Sequence, residues 1–179
     1  MDSATKILDI AERRMRQTGY NAVSYRDIAE EMGIKSASLH YHFSKKEDLG
    51  SALMRRYSNN FADALSDIVS DGKGPKQNIE AFVSIYRHEL TQRKLVCLGA
   101  VLGAETAGLP GRVSEEVNHF FARNIDWLRA RYENLGVDNP LGAAKTTLSL
   151  LTGAMTISAA NNDNSIFDAA VDTIRQIAV

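Results

Sequence analysis

The stretch from Ser24 to Leu49 constrains the fold of this chain more than any other. Ser24 and Asp27 have the spacing of a capping box, in which two side chains satisfy amides left unpaired at the start of a helix. Gly33 is suited to end that helix, because glycine accepts a positive φ at no steric cost. The sequence therefore predicts a short helix that starts after Ser24 and stops at Gly33.

A second short helix is predicted directly after this turn, starting at Lys35 or Ser36. Leu39 and Phe43 are four residues apart and are predicted to share its buried face, while Ile34 re-enters the core just before it. Two short helices joined by a glycine turn form a helix-turn-helix, whose second helix is the part expected to enter a DNA major groove.

The charge of the chain is distributed unevenly. The formal net charge of 179 residues is −1, but residues 1–57 carry 10 Lys and Arg against 8 Asp and Glu, whereas the remainder carries 11 against 14. This pattern indicates a mildly basic head on an acidic body, so nucleic-acid binding has to come from local charge. A hydrophobic content of 44% and only three prolines favour a folded, mostly helical protein.

Targeting signals and membrane spans are not expected. The first residues are charged and lack an apolar segment, which excludes a secretory signal. Residues 141–160 are the stretch most like a span, but Lys145 and many hydroxyl side chains interrupt it. The single cysteine excludes an internal disulfide framework and fits a reducing compartment. We therefore expect a cytoplasmic protein without a membrane partner.

Helical spacing of apolar residues continues along the whole chain and predicts an all-α fold of about nine helices. The expected organisation is a three-helix head over residues 1–45 and a six-helix body over residues 46–179, in which a long helix over 46–70 connects the two. Ser3 is the expected N-cap of the first helix. The other predicted helices cover residues 3–18, 75–92, 95–107, 112–135, 140–161 and a last segment from 164 or 165 to the C-terminus.

The head resembles that of the TetR/AcrR-type transcription regulators. The residues at matching positions of the family motif are Ser24, Ile28, Ala29, Gly33, Ile34, His42, Phe43, Lys46, Glu47 and Leu49. The body resembles the family in helix count and order. The segment around Cys97 is similar to that of family members that sense electrophiles or small unsaturated acids, the NemR and AcuR types.

The resemblance implies a DNA-binding surface on the head. Lys46, His42 and Tyr41 would contact phosphates, and short polar side chains near the start of the recognition helix would meet base edges. The alternative interpretation is that these polar residues form an ordinary solvated helix face. The full set of predicted DNA-binding residues is Ser24, Tyr25, Arg26, Lys35, Ser36, Ser38, His40, Tyr41, His42 and Lys46.

The body is expected to enclose a mostly apolar cavity for a small-molecule effector, with Glu105 and Arg123 as polar anchors. Ordinary core packing is the alternative for each aromatic residue. Cys97 could also be a redox or electrophile sensor, or simply a small core residue. The predicted ligand-binding residues are Phe82, Tyr86, Cys97, Glu105, Phe120, Phe121, Arg123 and Trp127.

The last two helices are apolar on more than one side, which predicts a second packing partner. Two such helices from each of two subunits would form a four-helix homodimer interface, although an interior helix of a monomer is the alternative. The predicted interface residues are Leu148, Leu151, Met155, Phe167, Val171 and Ile174.

The resemblance implies a repressor that is released from a pseudo-palindromic operator in double-stranded DNA by a small-molecule inducer. A helical adaptor without DNA binding is the rival class. Neither a convergent nucleophile and base nor a metal-ligand spacing is present, because His88 and His119 lack nearby partners in sequence. No catalytic residue, cofactor or metal is therefore predicted.

Overall fold

The computed structural model describes residues 2–178, and all regular structure within them is helical. This confirms the predicted all-α class with nine α-helices. None of the described helices combines the length and apolarity needed to cross a membrane. The α-helices are α1 (Ser3–Thr18), α2 (Tyr25–Met32), α3 (Ser36–His42), α4 (Lys46–Ser70), α5 (Pro75–His88), α6 (Leu98–Ala104), α7 (Gly111–Leu135), α8 (Pro140–Asn161) and α9 (Ser165–Ile177).

The helix-turn-helix forms as its local sequence predicts. Ser24 caps α2, and both bonds of the capping box with Asp27 are present. Gly33 follows α2 in the left-handed conformation at φ 66°, and the Ile34 N–H closes the turn by donating to the Ala29 carbonyl at 3.0 Å. Leu39 is fully buried on α3. Local capping chemistry therefore defines both ends of α2.

Two local predictions in the head were wrong. The N-cap of α1 is Asp2, whose Oδ1 accepts from the Ala4 N–H at 2.6 Å, and Ser3 is already the first helical residue. Ile34 is 37% exposed and does not enter the core. Its place in the turn between α2 and α3, away from any packed helix face, explains that exposure.

The region after α5 departs from the predicted helices. The α-helix ends at His88, and the chain continues as a π-helical turn over Glu89–Arg93. Lys94 then adopts φ 54°, which ends this helical segment. The predicted helix over 95–107 is shorter than expected and consists of α6 and a 3₁₀ turn over Thr106–Gly108. A π turn cannot be foreseen from apolar spacing, because it adds one residue to a pattern that otherwise continues.

The chain forms two compact units. The first comprises residues 2–59 and 98–120, and the second comprises residues 60–97 and 121–178. Helices α4 and α7 each contribute residues to both units. The first unit buries Ile7, Met15, Ile28, Leu39, Leu49 and Leu53, and the second buries Phe82, Leu128, Leu151, Met155 and Phe167.

Candidate nucleic-acid interface

Helix α3 presents a polar, positively charged surface to solvent. Residues 32–46 contain three lysines and no carboxylate. Tyr41 is 88% exposed, so its ring contributes almost nothing to the core of the protein. The other exposed residues of α3 are Ala37, Ser38, His40 and His42, with Lys35 exposed just before the helix. Short side chains at the start of α3 and aromatic or basic groups at its end match the composition of a major-groove reading helix.

A groove of about 280 Å³ lies beside this surface. It contains the first residues of α2 and α4, whose amino-terminal ends attract anions because their backbone N–H groups point outward. The lining residues are Asn21, Val23, Ser24, Tyr25, His40 and Lys46. The groove is therefore suited to hold a DNA phosphate.

The Lys46 ammonium is held in place by the loop before α2. Its Nζ donates to the Asn21 carbonyl at 3.2 Å and lies 4.5 Å from the centroid of the Tyr20 ring. Burial lowers the pKa of Lys46 from its ordinary value, while the nearby carboxylates of Glu105 and Asp27 raise it. A positioned ammonium loses less side-chain freedom when it binds a phosphate than a freely mobile one.

The loop that holds Lys46 is itself bonded to Glu105. The Glu105 carboxylate accepts from the Tyr20 N–H at 3.2 Å, and from the Asn21 N–H and Nδ2 at 3.4 and 3.2 Å. Gly19 is required here, since it has φ 84° and a Cβ would lie 1.8 Å from a Glu105 oxygen. Glu105 was predicted as a ligand anchor, and in the structure its oxygens accept hydrogen bonds from the loop at Tyr20 and Asn21.

Ser24 and Tyr25 form hydrogen bonds that stabilise the structure of the head. The Tyr25 hydroxyl donates to the Phe43 carbonyl at 2.8 Å, and burial, followed by the Asp48 charge, raises the pKa of Tyr25 to about 12. The Ser24 hydroxyl donates to Asp27 at 2.5 Å, and this bond is the main reason that the pKa of Asp27 lies below its ordinary value.

The predicted DNA-binding residues divide by exposure. Arg26, Lys35, Ser38, His40, Tyr41 and His42 are exposed, whereas Ser24, Tyr25, Ser36 and Lys46 are half-buried. The prediction omitted Asn21 in the groove and the exposed residues Ala37 and Lys45. The Lys45–Lys46 pair was a visible signal for Lys45, but nothing local in the sequence singles out Asn21.

Three of the predicted ligand-binding aromatic residues, Phe82, Tyr86 and Phe120, are buried side chains, whereas Trp127 and Phe121 are half-buried. In the second unit the Phe82 ring stacks on the Trp127 and Tyr86 rings with centroids 5.4 and 5.5 Å apart. In the first unit Phe120 is buried against the Tyr57 ring at 5.5 Å. These rings pack against one another, and their role in ligand binding stays a prediction.

The remaining predicted ligand residues have different surroundings. Cys97 is 2% exposed and its backbone N–H donates to the Met155 sulfur at 3.1 Å, so a reagent can reach the thiol only if the structure opens locally. Arg123 is exposed. Phe121 lines an open groove of about 390 Å³ against α8, which also includes Lys145.

The six predicted interface residues are all buried within the single chain: Leu148, Leu151, Met155, Phe167, Val171 and Ile174. Their side chains are therefore not available to a second copy, because α8 and α9 pack them against their own unit. The outward face of α8 carries Gly153, Thr156, Ala160 and Ile157, of which Ile157 is 51% exposed.

His88 and His119 are both exposed. Within residues 2–178, no group of three or more His, Cys, Asp or Glu side chains is arranged to hold a metal ion.

Comparison with known proteins agrees with the geometry of the head. Residues 7–53, which contain α2 and α3, match the family described as "Bacterial regulatory proteins, tetR family". The repressor KstR2 of Rhodococcus jostii is 34% identical over 80 residues, which is 45% of this chain and 39% of that protein. The match thus spans about two fifths of the length of this curated relative.

Solved structures extend the similarity to the whole chain. A TetR transcriptional regulator from Legionella pneumophila is 32% identical, with a TM-score of 0.94 over 98% of this chain and 97% of that one. The reduced form of E. coli NemR is 20% identical, with a TM-score of 0.85 over 98% of this chain and 97% of that one, which shows a shared fold.

Proposed function

The chain belongs to the TetR family of transcriptional regulators, and on that premise we propose that it is a cytoplasmic, homodimeric repressor released from its operator by a small-molecule effector. In this proposal residues 1–45 bind double-stranded DNA, and residues 46–179 carry the effector and dimer surfaces. The relative KstR2, which is similar over 80 residues, is a transcriptional repressor.

The observation that carries the proposal is the outward face of α3. Tyr41 is a large ring left 88% exposed, beside the short polar side chain of Ser38 and a segment with three lysines and no carboxylate. A packed interior does not explain such a surface. A DNA major groove does, because it presents base edges to short side chains and phosphates to cations and aromatic hydroxyls.

The groove beside α3 supports a defined docking position. Lys46 and the amino-terminal ends of α2 and α4 would hold one phosphate, which sets the register of α3 on the bases but carries no sequence information. Asn21 joins this set through its loop, which Glu105 stabilises.

The proposed homodimer predicts the form of the operator. Two recognition helices related by a twofold axis read half-sites about one helical turn, ~34 Å, apart, so the operator is a pseudo-palindrome. The exposed face of α8 supports this assembly, because small residues such as Gly153 and Ala160 allow a second helix to approach closely around Ile157.

Release by an effector requires only that the effector bind one conformer of the dimer more tightly than the other. Helix α4 is the proposed coupling element, because it begins at Lys46 in the DNA-binding groove and runs without interruption to Ser70 in the second unit.

Selection from a random DNA library tests the proposal. Purified protein is expected to enrich an inverted repeat, and Tyr41→Ala should lower affinity for it at least tenfold, because it removes a phosphate or base contact without touching the core. Val69→Ala is the matched control, since Val69 is an exposed apolar residue of α4 outside the helix-turn-helix. Absence of any enriched repeat would favour the helical adaptor.

A further inference from the structure

A cavity of about 140 Å³ in the second unit was not predicted from the sequence. One wall is the end of α5 and its π turn, with Leu90, Thr91 and Lys94. The other wall is the junction of α8 and α9, with Ser158, Asn162 and Asn164. None of these residues belongs to the predicted ligand set.

The Ser158 hydroxyl marks this cavity as a polar site. Ser158 is 1% exposed, and its Oγ has no hydrogen-bond partner among the described residues. Other hydroxyls on the same helix donate to the carbonyl four residues earlier, as Thr152 and Thr156 do at 2.8 Å. A buried hydroxyl without a partner is unfavourable, so its persistence calls for an explanation such as a bound polar group.

The backbone on both walls is unusual. Within residues 2–178, Lys94 and Asn162 are the two non-glycine residues with positive φ, at 54° and 52°. Both line the cavity, and Lys94 directly follows the π turn. Each is the left-handed residue that ends its helical segment, so the cavity lies where two helical segments terminate.

The charges around the cavity favour an anion. Lys94 supplies a cation, and the amino-terminal end of α9 lies at Asn164, whose side chain makes no capping bond. No carboxylate is among the described lining residues. Asp163 lies between two lining residues in sequence, and its Oδ1 already caps the start of α9 by accepting from the Ser165 N–H at 2.9 Å, so Lys94 is the group that favours an anion here.

We propose that this cavity binds a small organic monocarboxylate. The carboxylate would lie beside Lys94 and the Asn164 side chain and accept a hydrogen bond from the Ser158 hydroxyl, while Leu90 contacts the hydrocarbon chain. A cavity of 140 Å³ holds about six non-hydrogen atoms, because an engineered cavity of about 150 Å³ accommodates benzene. One cation and neutral donors balance one negative charge.

The role of this ligand as the effector rests on the proposed function, but its binding does not. Binding is measured on the full-length protein without DNA, so a failure of the site and a failure of operator binding are distinguishable. A ligand that binds the folded state raises the unfolding temperature in a saturable way.

Butyrate, with six non-hydrogen atoms, is the probe, and butyramide is its uncharged isostere. Butyrate is expected to raise the unfolding temperature saturably and butyramide is not. Lys94→Met should weaken butyrate binding at least tenfold, whereas Lys145→Met, an exposed lysine of α8 outside this cavity, should not change it.

Ser158→Ala separates a binding role from a structural one. It should weaken butyrate binding about fivefold, yet leave the unfolding temperature without ligand unchanged or higher, because it removes an unpartnered buried hydroxyl. Ser149→Ala, an exposed serine of the same helix, is its control. The proposal is overturned if no straight-chain acid from acetate to hexanoate binds saturably, if butyramide or inorganic phosphate binds equally well, or if both variants retain full affinity.

Discussion

Under the proposed function, single residues at the DNA-facing surface combine a structural role with a DNA contact. Lys46 is the clearest case, because its ammonium is bonded to Asn21 and packed over Tyr20 but still lines the groove. Glu105 supports the arrangement from a distance of 84 residues in sequence, by accepting from the Asn21 N–H. Contact with a phosphate and stability of the loop are therefore linked at this position.

Lys46→Ala is expected to lower operator affinity about tenfold and to reduce the slope of log affinity against log salt by about 1, as expected for one lost phosphate contact. The measurement is a gel-shift titration at several salt concentrations. Lys6→Ala is the control, because Lys6 is exposed on α1 outside the helix-turn-helix. Unchanged affinity and slope for Lys46→Ala would remove Lys46 from the contact set.

The capping bond between Ser24 and Asp27 gives the stability of the head a pH dependence. The pKa of Asp27 lies below its ordinary value of 3.8, chiefly because the Ser24 side chain donates to it. Ionised Asp27 therefore stabilises the fold above about pH 4, and this contribution disappears as the pH falls through the depressed pKa.

Ser24→Ala should accordingly make the loss of stability between about pH 4 and pH 2 shallower than in the unmodified chain. Urea unfolding at stepwise pH measures this slope. Ser38→Ala, an exposed serine of α3, should leave it unchanged. Parallel curves for Ser24→Ala and the unmodified chain would contradict the assignment.

At the scale of elements, long helices contain glycines whose roles depend on what surrounds them. Gly50 lies in the second turn of α4, where a Cβ would be 2.7 Å from a Tyr20 ring carbon and 3.0 Å from a Val113 methyl. The absence of a side chain allows α4 to approach the Tyr20 loop and α7 closely within the first unit. Helix propensity alone would favour alanine there by about 1 kcal/mol.

Gly50→Ala is expected to lower the free energy of unfolding by about 1–3 kcal/mol, because the added methyl overpacks this contact. Gly111→Ala is the control, since Gly111 begins α7 and has nothing within 4 Å of its Cβ position. Its effect should stay within about 0.5 kcal/mol. Denaturant unfolding measures both. A stabilised Gly50→Ala variant would show that the neighbours move aside freely.

For the molecule as a whole, substitution of Ile157, which is 51% exposed on α8, is the most direct test of the proposed assembly. Ile157→Asp places a charge at the centre of the proposed dimer face. The variant is expected to sediment as a monomer in analytical ultracentrifugation. Its operator affinity should fall at least a hundredfold, because a monomer contacts only one half-site.

Val69→Asp is the matched control for Ile157→Asp, because Val69 is also an exposed apolar residue but lies on α4. It should sediment as the unmodified chain does. If Ile157→Asp remained a dimer with full operator affinity, the dimer face would lie elsewhere.

The sequence alone determined the helices and the helix-turn-helix. The capping contacts of Ser24, Asp27 and Gly33 each span only three to six residues of sequence. Their roles can therefore be predicted from residue type and spacing. Apolar periodicity likewise located α1, α4, α7, α8 and α9 to within a residue or two. Both signals are local and do not depend on the rest of the fold.

Only the tertiary structure decided which surfaces are available for binding. Apolar spacing identified Leu148 and Phe167 as buried but could not tell a protomer's own core from a dimer interface. Two pairs of residues lie far apart in sequence and come close only because the helices pack: Glu105 with Asn21, and Lys94 with Ser158. The helix-turn-helix is a local property of the chain, whereas the support of Lys46 and the cavity at Ser158 arise from distant residues brought together by folding.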